Sequence, residues 1–270
     1  MQTFSSQRSR ADEPALWLGT SWKMTKTIGE ALAYVEQLLT VDIPSGMQVF
    51  VLPAHTALFA VANALPQDSP VLLGAQDAHW ARDGAATGEV SMRMVRDAGA
   101  SIVELGHSER RAAFGETDER IAWKVRAAVD SGLLPLVCVG ESHEIRVAGG
   151  ARDFVASQVA AALSGLNPTE VARAMVAYEP VWAIGEHGRA ATLPEVTPVL
   201  DSIHEVASAL SSTGRLRAVL YGGSVDADNI SELVTADGVD GVFVGRAAWD
   251  AAGMRRLIEI AAQARRLPGT

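Results

Sequence analysis

Short apolar runs alternate with stretches in which apolar residues recur every three or four positions, from Leu16 to the last residues of the 270-residue chain. The first kind predicts strands and the second amphipathic helices. Strands are expected at 16–19, 48–52, 71–75, 101–105, 134–139, 174–178, 217–221 and 241–244. Helices are expected at 28–39, 57–65, 90–98, 119–131, 152–163, 195–210, 229–234 and 255–264, the third being the least periodic. The strands are apolar throughout, which predicts a parallel sheet covered on both faces. Eight β–α pairs favour closure into a single (β/α)8 barrel, an α/β fold, over an open doubly wound sheet. Residues 1–14 read as a polar N-terminal tail and 15–270 as the barrel.

A barrel of this kind carries its chemistry at the C-terminal ends of its strands. The polar residues of this chain obey that rule: Lys23 follows the first strand, Gln76 and Asp77 the third, His107 the fourth, Glu141 the fifth, Glu179 the sixth, Gly222-Gly223-Ser224 the seventh and Gly245-Arg246 the eighth. Glu179 stands out because Pro180 follows it. Proline cannot continue a central strand and holds the preceding residue extended, so the carboxylate is fixed at the sheet's mouth while 181–191 leave as a loop with Gly185 and Gly188 at its tip. Such a loop fits a closing lid.

Composition narrows the partners. A formal net charge of −9 opposes non-specific binding to nucleic acid or anionic membranes, and an anionic substrate must be held by local donors. The lone Cys138 excludes an intrachain disulfide framework, and no run approaches a membrane span. The first ten residues lack the hydrophobic segment of a secretory signal, so a cytoplasmic protein is expected. No His/Cys/Asp/Glu cluster has metal-ligand spacing and no dinucleotide fingerprint occurs, so neither a metal nor a redox cofactor is expected.

What remains is proton transfer on a small anion. Glu179 and His107 make an acid–base pair suited to moving protons between adjacent carbons and their oxygens. At a helix N-terminus the imidazolium form of His107 would be disfavoured, leaving a neutral ring. Lys23, between Trp22 and Met24 in an apolar turn, would bring an ammonium over the barrel mouth to stabilise an oxyanion or phosphate. Glycine-bearing turns at Gly185, at 222–224 and at Gly245 would offer backbone N–H groups to a phosphate.

These residues carry a family likeness. Trp22-Lys-Met24, Thr87-Gly-Glu89, Leu105-Gly-His-Ser-Glu-Arg-Arg111, Cys138-Val-Gly-Glu141, Ala177-Tyr-Glu-Pro-Val-Trp-Ala-Ile-Gly185 and Tyr221-Gly-Gly-Ser-Val225 occur in this order, and over nearly its whole length the chain resembles the triosephosphate isomerase family. The resemblance implies Glu179 as the proton-abstracting base, His107 as the neutral electrophile and Lys23 as the cation that stabilises an enediolate, a tuning for which this family is itself the standard worked case. It implies Glu109 as a partner behind these groups, Ser21, Gly185, Ser224, Gly245 and Arg246 as substrate- and phosphate-binding positions, and a homodimer formed through the long loop around 78–89. Departures from the family pattern concern the pocket edge. Ser21 stands where the family usually has Asn, Asp77 where it has Asn, and Arg246 where it has Gly. The shorter Ser21 should open space beside the reacting carbons for an added hydroxymethyl group, and these variants look like the tetrulose-phosphate branch of the family, which interconverts L-erythrulose 1-phosphate and D-erythrulose 4-phosphate. An ordinary triosephosphate isomerase, and more remotely a non-catalytic sugar-phosphate-binding regulator, are the competing readings.

Overall fold

The computed structural model describes residues 14–184 and 188–268. Residues 1–13 of the expected tail, and the Gly185 position at the loop tip, lie outside the described residues. Eight strands close into one parallel barrel in sequence order: β1 (Leu16–Ser21), β2 (Met47–Leu52), β3 (Val71–Gln76), β4 (Ile102–Leu105), β5 (Leu134–Val139), β6 (Met175–Tyr178), β7 (Ala218–Tyr221) and β8 (Gly241–Val244). Closure is made by β1 against β8, with Trp17 opposite Gly241 and Thr20 opposite Val244.

The side chains divide between two apolar layers. Trp17, Phe50, Leu52, Leu72, Ile102, Leu136, Met175, Leu220 and Phe243 fill the barrel interior, while the alternate strand positions pack outward against the helices. Large and small residues interlock inside. A Cβ on Gly19 would lie 1.9 Å from the Phe50 ring, so the ring occupies the volume glycine leaves. Phe50 in turn stacks on Phe243, 5.8 Å between ring centres.

All eight expected strands are present, but β1 and β3 run further than their apolar stretches. Ser21 pairs opposite Leu52 and Gln76 opposite Glu104, so the ladder carries polar residues into the top inner layer of the barrel. Short helices at Ser108–Phe114, His143–Val147 and Pro168–Val171 escape a periodicity reading because each spans two turns or fewer. The helix after β3 is Met92–Asp97, inside the expected 90–98.

Below the mouth, the loop after β3 is anchored by charge. Asp77 adopts a left-handed backbone (φ +61°), costly for a non-glycine residue, and turns its carboxylate outward to Lys124, with Nζ 2.6 Å from Oδ1 and 2.8 Å from Oδ2. Lys124 also bonds Glu116, and Arg110 Nε lies 2.7 Å from Asp77. Lys124, Asp77 and Glu116 are buried, so each depends on the others for compensation. Lys124→Met, which removes the buried cation between two buried carboxylates and leaves them only the partly exposed Arg110, is expected to cost about 3–5 kcal/mol of unfolding free energy. Chemical denaturation checks it, and a loss below the cost of an exposed pair would show the cluster to be dispensable.

Candidate active site

The loops beyond β1, β4, β6, β7 and β8 enclose a cavity of about 520 Å³ lined by Ser21, Lys23, His107, Glu109, Glu179, Ser224, Gly245 and Arg246 among others. Every described site residue expected from the sequence faces this one space. Gln76, Asp77 and Glu141, the other polar strand-end residues, do not line it; each supports a wall.

Glu179 follows β6 directly. Its amide donates to Val139 O at 2.7 Å, which fixes the backbone, and its side chain is buried. The neighbouring strands make room by having no side chains there. A Cβ on Gly140 would come within 1.9 Å of Glu179 O, and one on Gly222 within 2.7 Å of Glu179 Cγ. Thus Gly222, expected as part of the phosphate cradle, also makes space for the carboxylate. Glu179 Oε2 is buried without a hydrogen-bond partner among the described residues and lies 3.4 Å from His107 Nε2. Burial, with Glu104's charge next, raises the Glu179 pKa well above the usual carboxylate value, against the opposing pull of Lys23.

His107 caps the helix Ser108–Phe114, its Nδ1 accepting from the Glu109 amide at 3.1 Å. With Nδ1 an acceptor, the proton sits on Nε2, which points toward Glu179 and the cavity. Burial first, then the Lys23 charge, lower the His107 pKa to about 4. The neutral ring expected from the sequence thus has burial and a neighbouring ammonium as its causes.

Lys23 reaches the mouth from a strained turn with φ +50°. Gln76 Nε2 clamps that turn by donating to Lys23 O at 3.0 Å and Leu52 O at 2.8 Å. Trp22 is fully buried against Tyr34 as expected, but Met24 is 96% exposed, so Trp22 alone anchors the turn in the core. Lys23 Nζ bonds Glu109 Oε1 at 2.7 Å. Partial burial pushes Glu109 up, but the Lys23 hydrogen bond and charge outweigh it and hold the carboxyl below its ordinary range. Glu109 thus steers the ammonium.

Opposite these groups, Ser224, Gly245 and Arg246 bring backbone to the cavity. Gly245 has φ −87°, and Arg246–Ala248 form a single 3-10 turn, so a non-glycine residue fits at 246 without strain. A Cβ on Gly245 would meet nothing within 4 Å, leaving open space for an anion beside the Arg246 amide. The turn is tied to β1: Trp249 Nε1 donates to Ser21 O at 2.9 Å, and Tyr34 hydroxyl to Ala248 O at 2.9 Å.

The described ends of the loop after β6 are held by charge and rings. Glu141, fully buried, accepts from Trp182 Nε1 at 2.7 Å and from the Tyr178 hydroxyl, with Arg146 at 3.3 Å. The Arg146 and Arg189 guanidinium groups lie 4.4 and 4.6 Å from the Trp182 ring centre. Glu141, singled out in sequence only by its place at a strand end, holds the start of this loop through Trp182.

The residue that the sequence reading missed is Glu104. It lies in β4, two positions beyond the inward-facing Ile102, buried, with Oε2 accepting from Ser21 Oγ at 2.8 Å. Its signal was a carboxylate inside an otherwise apolar strand. Ser21 therefore does not simply vacate space; it binds the carboxylate that lines it.

Two outcomes are expected. Imidazole 15N shifts of His107 should report a neutral ring protonated on Nε2 from pH 5 to pH 9, since its pKa is about 4; an imidazolium signal at pH 6 would contradict the geometry. Burial raises the Glu104 pKa from 4.5 to about 7, against the Ser21 hydrogen bond, so the folded chain holds this proton across a window where the unfolded chain has lost it. Wild-type stability should accordingly fall relative to Glu104→Gln as pH rises from 4.5 to 7, by up to roughly 3 kcal/mol above pH 7. Urea midpoints of both proteins across that range check the sign.

With this geometry in hand, comparison with known proteins is direct. The triosephosphate isomerase family profile matches residues 16–261. A protein of Mycolicibacterium smegmatis named L-erythrulose-1-phosphate isomerase is 49% identical over 250 residues, covering 92% of this chain and 93% of its own length. Proteins of the same name from Rhizobium rhizogenes and Mesorhizobium japonicum are each 45% identical, over 89% and 88% of this chain and 92% and 93% of their own. Fold, motif order and this degree of identity agree that the chain belongs to the triosephosphate isomerase family.

Proposed function

We propose that this chain is a cofactor-independent sugar-phosphate isomerase that interconverts L-erythrulose 1-phosphate and D-erythrulose 4-phosphate through an enediolate. The observation that carries the chemistry is the single cavity in which Glu179, His107 and Lys23 meet, with the carboxylate dry and lacking a partner on one oxygen. The names of the relatives and the Ser21–Glu104 edge support the four-carbon substrate.

The residues would act as follows. The phosphate lies against the turns after β7 and β8, held by N–H groups near Ser224, Gly245 and Arg246. Glu179 removes the proton from the carbon beside the carbonyl, on the side away from the phosphate-bearing carbon. Electrons move onto the carbonyl oxygen, where His107 Nε2–H and the Lys23 ammonium meet the developing charge. His107 passes its Nε2 proton to that oxygen and takes the proton of the neighbouring hydroxyl, and Glu179 returns the carbon-bound proton to the former carbonyl carbon, so that the carbonyl shifts by one position. A base of raised pKa is matched to a weakly acidic C–H, and a neutral His107 can donate without first losing a proton. The lid 181–191 would exclude water during this step.

The enzyme is proposed to be cytoplasmic; among the described residues no helix is long and apolar enough to cross a membrane. It is proposed to work as a homodimer. Met24 and Phe114, 96% and 67% exposed, rim a second cavity of about 600 Å³ beside the site that also includes Gly88, Glu89 and Val90 of the loop after β3. The same loop from a second copy would cover this face.

The test compares kcat/KM for L-erythrulose 1-phosphate and dihydroxyacetone phosphate. Higher efficiency on the four-carbon substrate is expected; brisk triose turnover with four-carbon turnover at background would make the chain an ordinary triosephosphate isomerase. Glu179→Gln should lower kcat by about 10²–10⁴-fold or more on either substrate. Unchanged solvent-proton exchange into substrate in that variant would leave only a binding role.

A further inference from the structure

Glu104 is a buried carboxylate that the proton-transfer scheme does not use, and burying one without full pairing is costly. Among the described residues its carboxylate receives one hydrogen bond, from Ser21 to Oε2, and no cation lies within salt-bridge distance. A structural role would call for more partners, as the buried Asp77 has in Lys124 and Arg110.

Its place in the barrel suggests what it serves. The cavity of the proposed chemistry and the adjoining cavity of about 600 Å³ share Ser21, Lys23, His107 and Glu109, and Glu104 lines the second just beyond that junction. In an eight-stranded ring β4 stands across from β8, so Glu104 faces the phosphate turns from the far side of the mouth. A substrate anchored there by its phosphate would extend past Lys23 and His107 toward β4. The end remote from the phosphate is where a tetrulose phosphate exceeds a triose phosphate, by one hydroxymethyl group.

We propose that Glu104 is a specificity-determining residue whose carboxylate accepts a hydrogen bond from the terminal hydroxymethyl group of the four-carbon ketose phosphate. Ser21 positions it, holding Oε2 so that Oε1 is presented to the ligand, and is itself short enough to leave the path open. The bound hydroxyl compensates the carboxylate's lost hydration. A triose phosphate leaves that demand unmet in a closed site, and a site built to bond a substrate hydroxyl discriminates strongly against the analogue lacking it. At pH 8 Glu104 is an ionised acceptor, because burial, opposed by Ser21, places its pKa at about 7. This inference rests on the four-carbon reading above.

The experiment measures kcat and KM of the full chain for L-erythrulose 1-phosphate and dihydroxyacetone phosphate at pH 8, and their pH profiles, in wild type, Glu104→Gln and Glu104→Asp. Glu104→Gln keeps the shape and removes the charge; Glu104→Asp keeps the charge and withdraws the oxygens by one methylene. Both should lose about 10–100-fold in kcat/KM on the four-carbon substrate, and neither should lose more than about threefold on the triose. Far-ultraviolet circular dichroism and thermal midpoints establish that both variants fold. Equal losses on the two substrates, or an acid limb displaced equally for both with the substrate ratio kept, would make Glu104 a group acting through Glu179 and overturn the proposal. So would an undiminished four-carbon efficiency in both variants. A wild type inactive on the four-carbon substrate would remove the functional reading itself, and is told apart because it needs no variant.

Discussion

The constraint on which this site depends is keeping a carboxylate dry and only partly bonded at the mouth of a barrel. Water would satisfy Glu179, lower its basicity and leave it a poor acceptor of a carbon-bound proton. The fold buries Glu179 through absence as much as through contact. Gly140 and Gly222 flank Glu179 where any side chain would strike it, Pro180 ends the strand, and buried Cys138 and Ala177 of the inner layer lie beneath. The thiol of Cys138 is pushed up by burial and then by the Glu179 charge, so it is an inert neighbour and no competing nucleophile.

Holding a base in that condition has consequences for the charges around it. Glu104, Glu109 and Glu179 crowd one ammonium, Lys23, at the rim. That ammonium is committed to Glu109, which sets its direction, while its field lowers His107 and moderates Glu179. Burial first, and the neighbouring charges second, separate their protonation states, raising the base and lowering the imidazole. It also explains the phosphate turns. In a chain of net charge −9, an anion is best held by backbone N–H groups at 222–224 and 245–246, which supply attraction without another titratable side chain beside Glu179.

Much of this was legible in the sequence because backbone rules fix it. Glu179-Pro180 marks a strand end whatever the packing, and eight apolar runs in alternation with helices leave few arrangements besides a closed barrel. Strand ends then place Lys23, His107, Ser224, Gly245 and Arg246 on one rim. What could not be read was anything that depends on which way a polar residue turns after its strand. Asp77 and Gln76 are adjacent, yet Gln76 clamps the Lys23 turn while Asp77, in a left-handed conformation, joins Lys124 on the outer side. Met24 resembles a core residue by type and is almost wholly exposed. Glu104 was missed because period and hydropathy count it as one polar exception in β4, and only the ladder register with Gln76 shows that it faces inward near the reacting groups.

The same register explains how one scaffold can serve substrates of different length without altering the reaction. The three groups proposed to move protons and charge follow β1, β4 and β6, and the proposed phosphate donors follow β7 and β8. The barrel rim between β1 and β4 supplies no reacting group or phosphate donor of its own, Gln76 there serving to clamp the Lys23 turn, so its other side chains can change while the chemistry is preserved. Ser21 and Glu104 occupy that arc as a coupled pair: a serine without the glutamate would leave a dry gap, and a glutamate beneath a larger residue would be buried with no donor. Substrate length is therefore encoded by two positions that must change together, neither of which touches the proton being transferred.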